Sequence, residues 1–234
     1  MPTTPEGFTK RTERLRADLV EQGRRVQAMV EASFEALFGR DEAKGKRVAA
    51  MDDAIDAADV VLEKACVLLL CDATQEGSEL GDHQLRTILT IVKVNNELER
   101  IADAGVDVCD LVSKISGGGP AFPGTFSVMA NSVVGILRDV TTSVSRNDPA
   151  LAKVVLQSQH TVTAFKSAIL RDAEEQIAKG KMPVDFAFLL HEVASQCELI
   201  ADHCTNIAEQ IIYLTTGAVV KHLESAWVEQ PGRG

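Results

Sequence analysis

Aromatic residues are scarce, at 4% of 234 residues, with one tryptophan and one tyrosine. Sheet-rich cores lean on aromatic and β-branched side chains. A chain that is 45% hydrophobic but so poor in rings must fill its core with Leu, Val, Ile and Ala, the palette of helical bundles. Long basic runs are also missing. The formal charge is −10 and the pI about 5.0, which argues against nucleic acid as a partner and for multivalent cations or basic protein surfaces. The densest apolar run, Ala65 to Cys71, is far short of the roughly 20 residues a membrane span needs. Met1 to Lys10 lacks the apolar core of a secretion signal. There are five cysteines but no CxxC, and each cysteine falls in an apolar helical pattern. That usage reads as reduced, buried thiols in a reducing, cytoplasmic setting rather than disulfides or a cysteine zinc site. Walker A, GxGxxG and GxSxG motifs are absent, and no Glu has His three residues later. His191-Glu-Val-Ala-Ser195 lacks the second histidine of a zincin, and a ferritin-like di-iron oxidase would need the missing Glu-x-x-His pairs. Without a nucleophile–base constellation, no catalytic activity is expected.

What the chain does have is helical periodicity. Leu15, Leu19, Val26, Val30, Phe34 and Leu37 recur at steps of three, four and seven, predicting a first helix over roughly 8–39. A second is expected from about Gly45 to Cys71. The polar segment Asp72–Asp82 follows as a loop. Asp82 is the expected N-cap of a third helix reaching about Ile115. Gly117-Gly-Gly-Pro-Ala-Phe-Pro-Gly124 is the strongest break in the chain. A fourth helix then carries Phe122, Phe126, Met129, Val133, Ile136, Val140 and Val144. Asp148-Pro149, an N-cap followed by proline, opens a fifth that ends near Gly180. The sixth spans about Val184 to Leu214, and the tail after Trp227 is expected to fray.

The two halves repeat. Glu99-Arg-Ile-Ala-Asp103 lies beside Glu198-Leu-Ile-Ala-Asp202, Asp107 beside Asn206, and Asp110 beside Glu209. The expected fold is all-α: two tandem three-helix bundles of long antiparallel helices, at residues 8–116 and 122–222.

Acids concentrate on single helix faces. Glu99, Asp103, Asp107 and Asp110 fall within about 80° of one another, and Asp52, Asp56, Asp59 and Glu63 within about 60°. Charge runs usually mark solvated faces. These, however, step from acid to acid instead of mixing Glu with Lys, and each such step costs a few tenths of a kcal/mol. If the stripes face each other, close pairs repel further. A bound cation is the simplest offset, and hard or borderline divalent and trivalent metals suit an all-oxygen donor set. In the second half, aligning Ala164 with Ala57 places Gln159, Thr163 and Lys166 where the first half has Asp52, Asp56 and Asp59. The first half should therefore bind metal more tightly than the second. Cys197 and Cys204 read as core packing, and Tyr213 as either a packing residue or a hydrogen-bond partner for a carboxylate.

The run Glu198-Leu-Ile-Ala-Asp202-His-Cys-Thr-Asn206-Ile-Ala-Glu209-Gln-Ile-Ile-Tyr213 resembles the signature helix of the PhoU family of phosphate-uptake regulators. Asn95-Asn-Glu-Leu-Glu99-Arg-Ile-Ala-Asp103 resembles its first-repeat counterpart, Met51-Asp-Asp-Ala-Ile-Asp56 the second-helix motif, and Gln84-Leu-Arg86 the start of the third helix. The resemblance implies a cytoplasmic six-helix protein whose acidic motifs bind iron or zinc clusters. It also implies one that restrains a phosphate ABC transporter and damps a phosphate sensor histidine kinase. The implied metal ligands are Asp52, Asp56, Glu99, Asp103, Glu198 and Asp202, to which the stripe adds Asp107. A homodimer is expected. Leu199, where the family often has Arg, and the missing motif at Gln159 and Thr163 depart from the pattern. They leave room for an accessory protein of a different phosphate permease, or for a bundle without metal.

Overall fold

The computed structural model describes residues 5–75, 79–115, 119–223 and 226–230. Seven helices precede a short strand pair: α1 Pro5–Gly39, α2 Glu42–Ala49, α3 Asp52–Gln75, α4 Asp82–Ser113, α5 Gly124–Arg146, α6 Pro149–Ala178, α7 Val184–Thr216, then β1 Val219–Leu223 and β2 Ala226–Gln230. The fold is the expected all-α tandem repeat. Helices α1, α3 and α4 form one three-helix bundle and α5, α6 and α7 the other, with α4 packed along α7 at the centre.

The periodicity resolves into burial. All six apolar residues that defined the first helix are buried. So are Phe126, Met129, Val133, Ile136, Val140 and Val144 of α5. Each fully buried aliphatic side chain contributes about 1.5–3 kcal/mol, and one continuous core runs through both halves. Some of the few rings gather around Phe122. Phe38, Phe126 and Phe186 each pack against Phe122, joining α1 to α5 and α7. Where α1 crosses α5, a Cβ on Gly23 would lie 3.0 Å from Thr141 Cγ2, so the absent side chain lets the two halves approach.

Four boundaries differ from expectation, one being the start of α5 at Gly124, which leaves Phe122 ahead of the helix it was expected to open. The second helix is two. Asp41 caps α2 by accepting from the Lys44 amide (2.8 Å), and the chain turns at Ala50–Met51 before α3 begins. The short α2 packs against α4, with Gly45 beside the Cys109 carbonyl and Val112. Gly81 rather than Asp82 caps α4, its amide donating to Gln84 Oε1 (2.9 Å). α3 runs to Gln75, into the segment read as a loop. α7 ends as expected just past Leu214, at Thr216 with Gly217 as a left-handed cap (φ 73°), but the chain then forms an unexpected antiparallel ladder pairing Val219 with Gln230. Gly117, Gly118 and the residues after Gln230 lie outside the described residues. The expected cap at Asp148 is present, accepting from the Ala150 and Leu151 amides.

The repeat shows as reciprocal bonds along the α4–α7 seam. Glu97 Oε2 accepts from Asn206 Nδ2 (3.0 Å), and Asp107 Oδ2 accepts from Gln196 Nε2 (2.9 Å). Each partner occupies the other's position in the repeat.

Candidate metal-binding face

Two anchors set the position of α3. The buried Gln22 of α1 donates to the Ile55 carbonyl (2.7 Å). The buried Asn95 of α4 donates to both the Asp59 carbonyl (3.1 Å) and Asp59 Oδ1 (2.6 Å). With only Ile55, Leu62, Cys66, Leu69 and Ala73 buried, α3 touches the bundle along one stripe. The acids beside that stripe are held against the acids of α4.

The two predicted acidic stripes do come together. Burial, then the charges of Asp56, Asp103 and Asp53, push the Asp52 carboxyl up to about 6. Burial followed by Asp103, Asp59 and Asp56 pushes Glu99 up, and burial followed by Asp56 and Asp107 pushes Asp103 up. Asp59 is raised by burial, Glu63 and Asp56. Asp52 Oδ1 is buried with no hydrogen-bond partner, a costly state for an ionised oxygen. Asp107, also predicted as a ligand, accepts from Gln196 and so leans toward α7.

In the second half the same positions are satisfied within the chain. Lys166 Nζ lies 2.7 Å from Glu198 Oε2, Thr163 Oγ1 donates to Glu198 Oε1 (3.1 Å), and Gln159 Nε2 donates to Asp202 Oδ1. Burial raises the Glu198 carboxyl, but the hydrogen bonds from Lys166 and Thr163 and the Lys166 charge outweigh it and hold the group below its ordinary range. Asp202 stays raised, with burial ahead of the opposing Gln159 bond. Glu209, aligned with the exposed Asp110, is buried.

Among the described residues, no three His, Cys, Asp or Glu side chains converge closely enough to hold a metal as they stand. The α3–α4 face nonetheless fits a cation chemically. Its donors are all carboxylate oxygens, they repel one another, and one buried oxygen is unpartnered. The α6–α7 face does not fit, because its acids already hold an ammonium, a hydroxyl and an amide.

Sequence reasoning missed Glu97 and His203. His203 Nδ1 donates to Glu97 Oε2 (2.7 Å), so this carboxylate binds two side chains of α7. Burial raises Glu97, but these bonds and the charges of His203 and Arg100 hold it low. Neither residue belongs to the acidic stripes, so spacing gave no signal. Cysteines 66, 109, 197 and 204 are buried as expected, but Cys71 is exposed, lying off the buried stripe of α3. Tyr213 packs under the Arg86 guanidinium, 5.9 Å from its ring centre.

A tandem pair of three-helix repeats, each presenting a Glu-x-x-x-Asp face on its last helix, defines the class of protein. The PhoU domain family matches residues 19–112 and again 126–211, and the chain belongs to that family. It is 27% identical over 214 residues to the phosphate-specific transport system accessory protein PhoU homolog of Aquifex aeolicus, covering 91% of this chain and 95% of that one. Against the Pseudomonas aeruginosa homolog it is 26% identical over 218 residues, covering 92% and 88%. The crystal structure of PhoU from Pseudomonas aeruginosa matches with a TM-score of 0.82 at 25% identity, covering 90% of this chain and 99% of that one. That of the Streptococcus pneumoniae regulatory protein PhoU matches at 0.83 with 19% identity, covering 92% and 99%, and supports the fold alone.

Proposed function

We propose that the protein is a non-catalytic, metal-binding adaptor that restrains phosphate import and phosphate-starvation signalling. It works in the cytoplasm, as a homodimer, on the cytoplasmic part of a phosphate ABC transporter and on a phosphate sensor histidine kinase. The observation that carries this reading is the family match across both repeats, joined to relatives named as accessory proteins of the phosphate-specific transport system. No helix among the described residues is long and apolar enough to cross a membrane, so contact with a transporter is made through its exposed parts.

Asp52, Asp56, Glu99 and Asp103 are the residues that would hold iron or zinc, with Asp107 at the margin. Bound there, the metal supplies positive charge that lowers the repulsion between α3 and α4. The chain's own part is to hold the two stripes opposite each other through Gln22 and Asn95. Beside that face, α3 exposes Val60, Val61, Val67 and Leu68, and α4 exposes Leu85 and Leu89. At the aligned positions α6 carries Ser167, Ala168, Glu174 and Glu175. The α4 positions are apolar and exposed in α7 as well, at Val184 and Phe188, so the difference between the repeats lies on α3, and its exposed valines and Leu68 support docking through that helix. Where the acids border the contact, a basic partner surface complements them, and docking weakens with salt.

Deleting the gene should raise both phosphate uptake and phosphate-responsive transcription under phosphate excess. Unchanged uptake together with unchanged transcription would refute the reading. A bundle acting without metal is the second reading, favoured by the lack of converging ligands. Elemental analysis of natively purified protein separates the two.

A further inference from the structure

The structure assigns Lys166 as the resident cation of the second half: its ammonium stands at the position of the Asp59 carboxylate of the first half, so the Glu198 charge of the α6–α7 face is balanced by the chain itself. This inference rests on the proposal that the α3–α4 face takes a cation, and extends it by saying how the other repeat manages without one.

The repeat supplies the register. Gln159 meets Asp202 where Asp52 faces Asp103, and Thr163 meets Glu198 where Asp56 faces Glu99. Lys166 meets Glu198 where Asp59 faces Glu99. Five carboxylates on the first face have become two carboxylates, an ammonium, an amide and a hydroxyl on the second. Each replacement donates to an acid, and each bond is formed. The substitutions therefore act together rather than merely deleting ligands. The Lys166 and Glu198 side chains are 20% and 26% exposed, so their attraction is only partly screened. The ammonium would likewise repel an arriving metal. Placing a metal on Glu198 requires breaking a charge-assisted bond and bringing two cations together. The two repeats thus respond differently to metal supply: the first changes its net charge on loading, and the second stays constant.

The test uses the full chain stripped of metal, titrated with Mn2+ by calorimetry. Mn2+ prefers oxygen donors, so the exposed Cys71 does not compete. Glu198→Gln should leave the number of Mn2+ ions bound unchanged, whereas Asp103→Asn should lower it. The triple variant Gln159→Asp, Thr163→Asp, Lys166→Asp transplants the first-half residues and should add Mn2+ binding to the second half. Lys166→Met should lower Tm without metal, and Lys166→Arg should recover most of the loss. Fewer ions bound by Glu198→Gln would overturn the inference, as would a triple variant that folds yet gains no Mn2+. If the unaltered protein binds no Mn2+ at all, the metal reading of the first face fails. The Lys166 assignment is then decided by the thermal arm, where an unchanged Tm for Lys166→Met overturns it.

Discussion

The α3–α4 and α6–α7 faces share a backbone plan and a Glu-x-x-x-Asp motif, yet the glutamates of the two motifs are pushed in opposite directions, while both aspartates stay raised. On the first, burial and like charge push Asp52, Glu99 and Asp103 up. On the second, Lys166 and Thr163 hold Glu198 down. The inner helices, α4 and α7, keep the motif nearly unchanged, while the outer helices, α3 and α6, decide what neutralises it. An acidic motif on a helix therefore does not by itself specify a metal site. The facing helix determines whether the motif awaits an ion or already has its counter-charge.

The sharpest way to break this comparison is to neutralise one acid on each inner helix. Asp103→Asn should weaken Mn2+ binding by about 100-fold, equivalent to about 2.7 kcal/mol, with Asp202→Asn changing it less than twofold. Calorimetric titration of both variants reads the difference directly. Equal losses would mean that the two faces bind alike, Lys166 notwithstanding. Next in size is the pair itself. Lys166→Met leaves the Glu198 carboxylate with Thr163 alone and should cost about 2 kcal/mol in urea unfolding of the metal-free protein. The aligned first-half change, Asp59→Met, should cost less, because it relieves repulsion with Glu63 and Asp56 while losing the bond from Asn95.

The pH dependence of the metal-free protein should separate the faces by sign. Asp52 has a folded-state pKa of about 6, above its unfolded value, so the folded state binds its proton more tightly. Its favourable contribution is fully present below about pH 4 and is lost as pH rises through about 6. Glu198 is the reverse. Its folded pKa lies below the unfolded one, so its contribution is present above the ordinary carboxylate range and is lost as pH falls through the folded value. Measured as Tm from pH 3 to 7, Asp52→Asn should flatten the decline toward neutral pH and Glu198→Gln the decline toward acid. Identical effects of the two variants would show that the faces are electrostatically equivalent.

Much of the fold could be read directly from the residues. The six apolar positions of α1 and the Asp148-Pro149 cap have local causes, namely periodicity and capping geometry. The break at Ala50–Met51 could not be read, because no glycine or proline stands there and α2 packs on the distant α4, a contact no local pattern contains. At the site, the alignment put Lys166 opposite an acidic position and read it as a missing ligand. That it bonds Glu198 depends on the axial register of α6 against α7, which no single-helix pattern contains. Glu97 and His203 lay further out of reach, being 106 residues apart.

The seam between the halves offers the smallest and most local test of the asymmetry. Repeat symmetry pairs Glu97 with Asn206 and Gln196 with Asp107, but the environments differ. Glu97 is mostly buried, with its side chain 18% exposed, and one of its oxygens accepts from both His203 and Asn206. Asp107 is exposed, and Gln196 has its own carbonyl oxygen, Oε1, buried without a partner. Asn206→Ala removes a donor from a mostly buried carboxylate, and should cost about 1 kcal/mol. Gln196→Ala removes an exposed bond together with an unsatisfied buried atom, and should fall within about 0.5 kcal/mol of zero. Urea unfolding of the two single variants measures the difference. His203→Ala combined with Asn206→Ala should then cost more than the sum of the single changes, because the second loss leaves Glu97 without either donor. Equal costs for Asn206→Ala and Gln196→Ala would show that the seam is as symmetric in energy as it is in sequence, confining the asymmetry of the molecule to its outer helices.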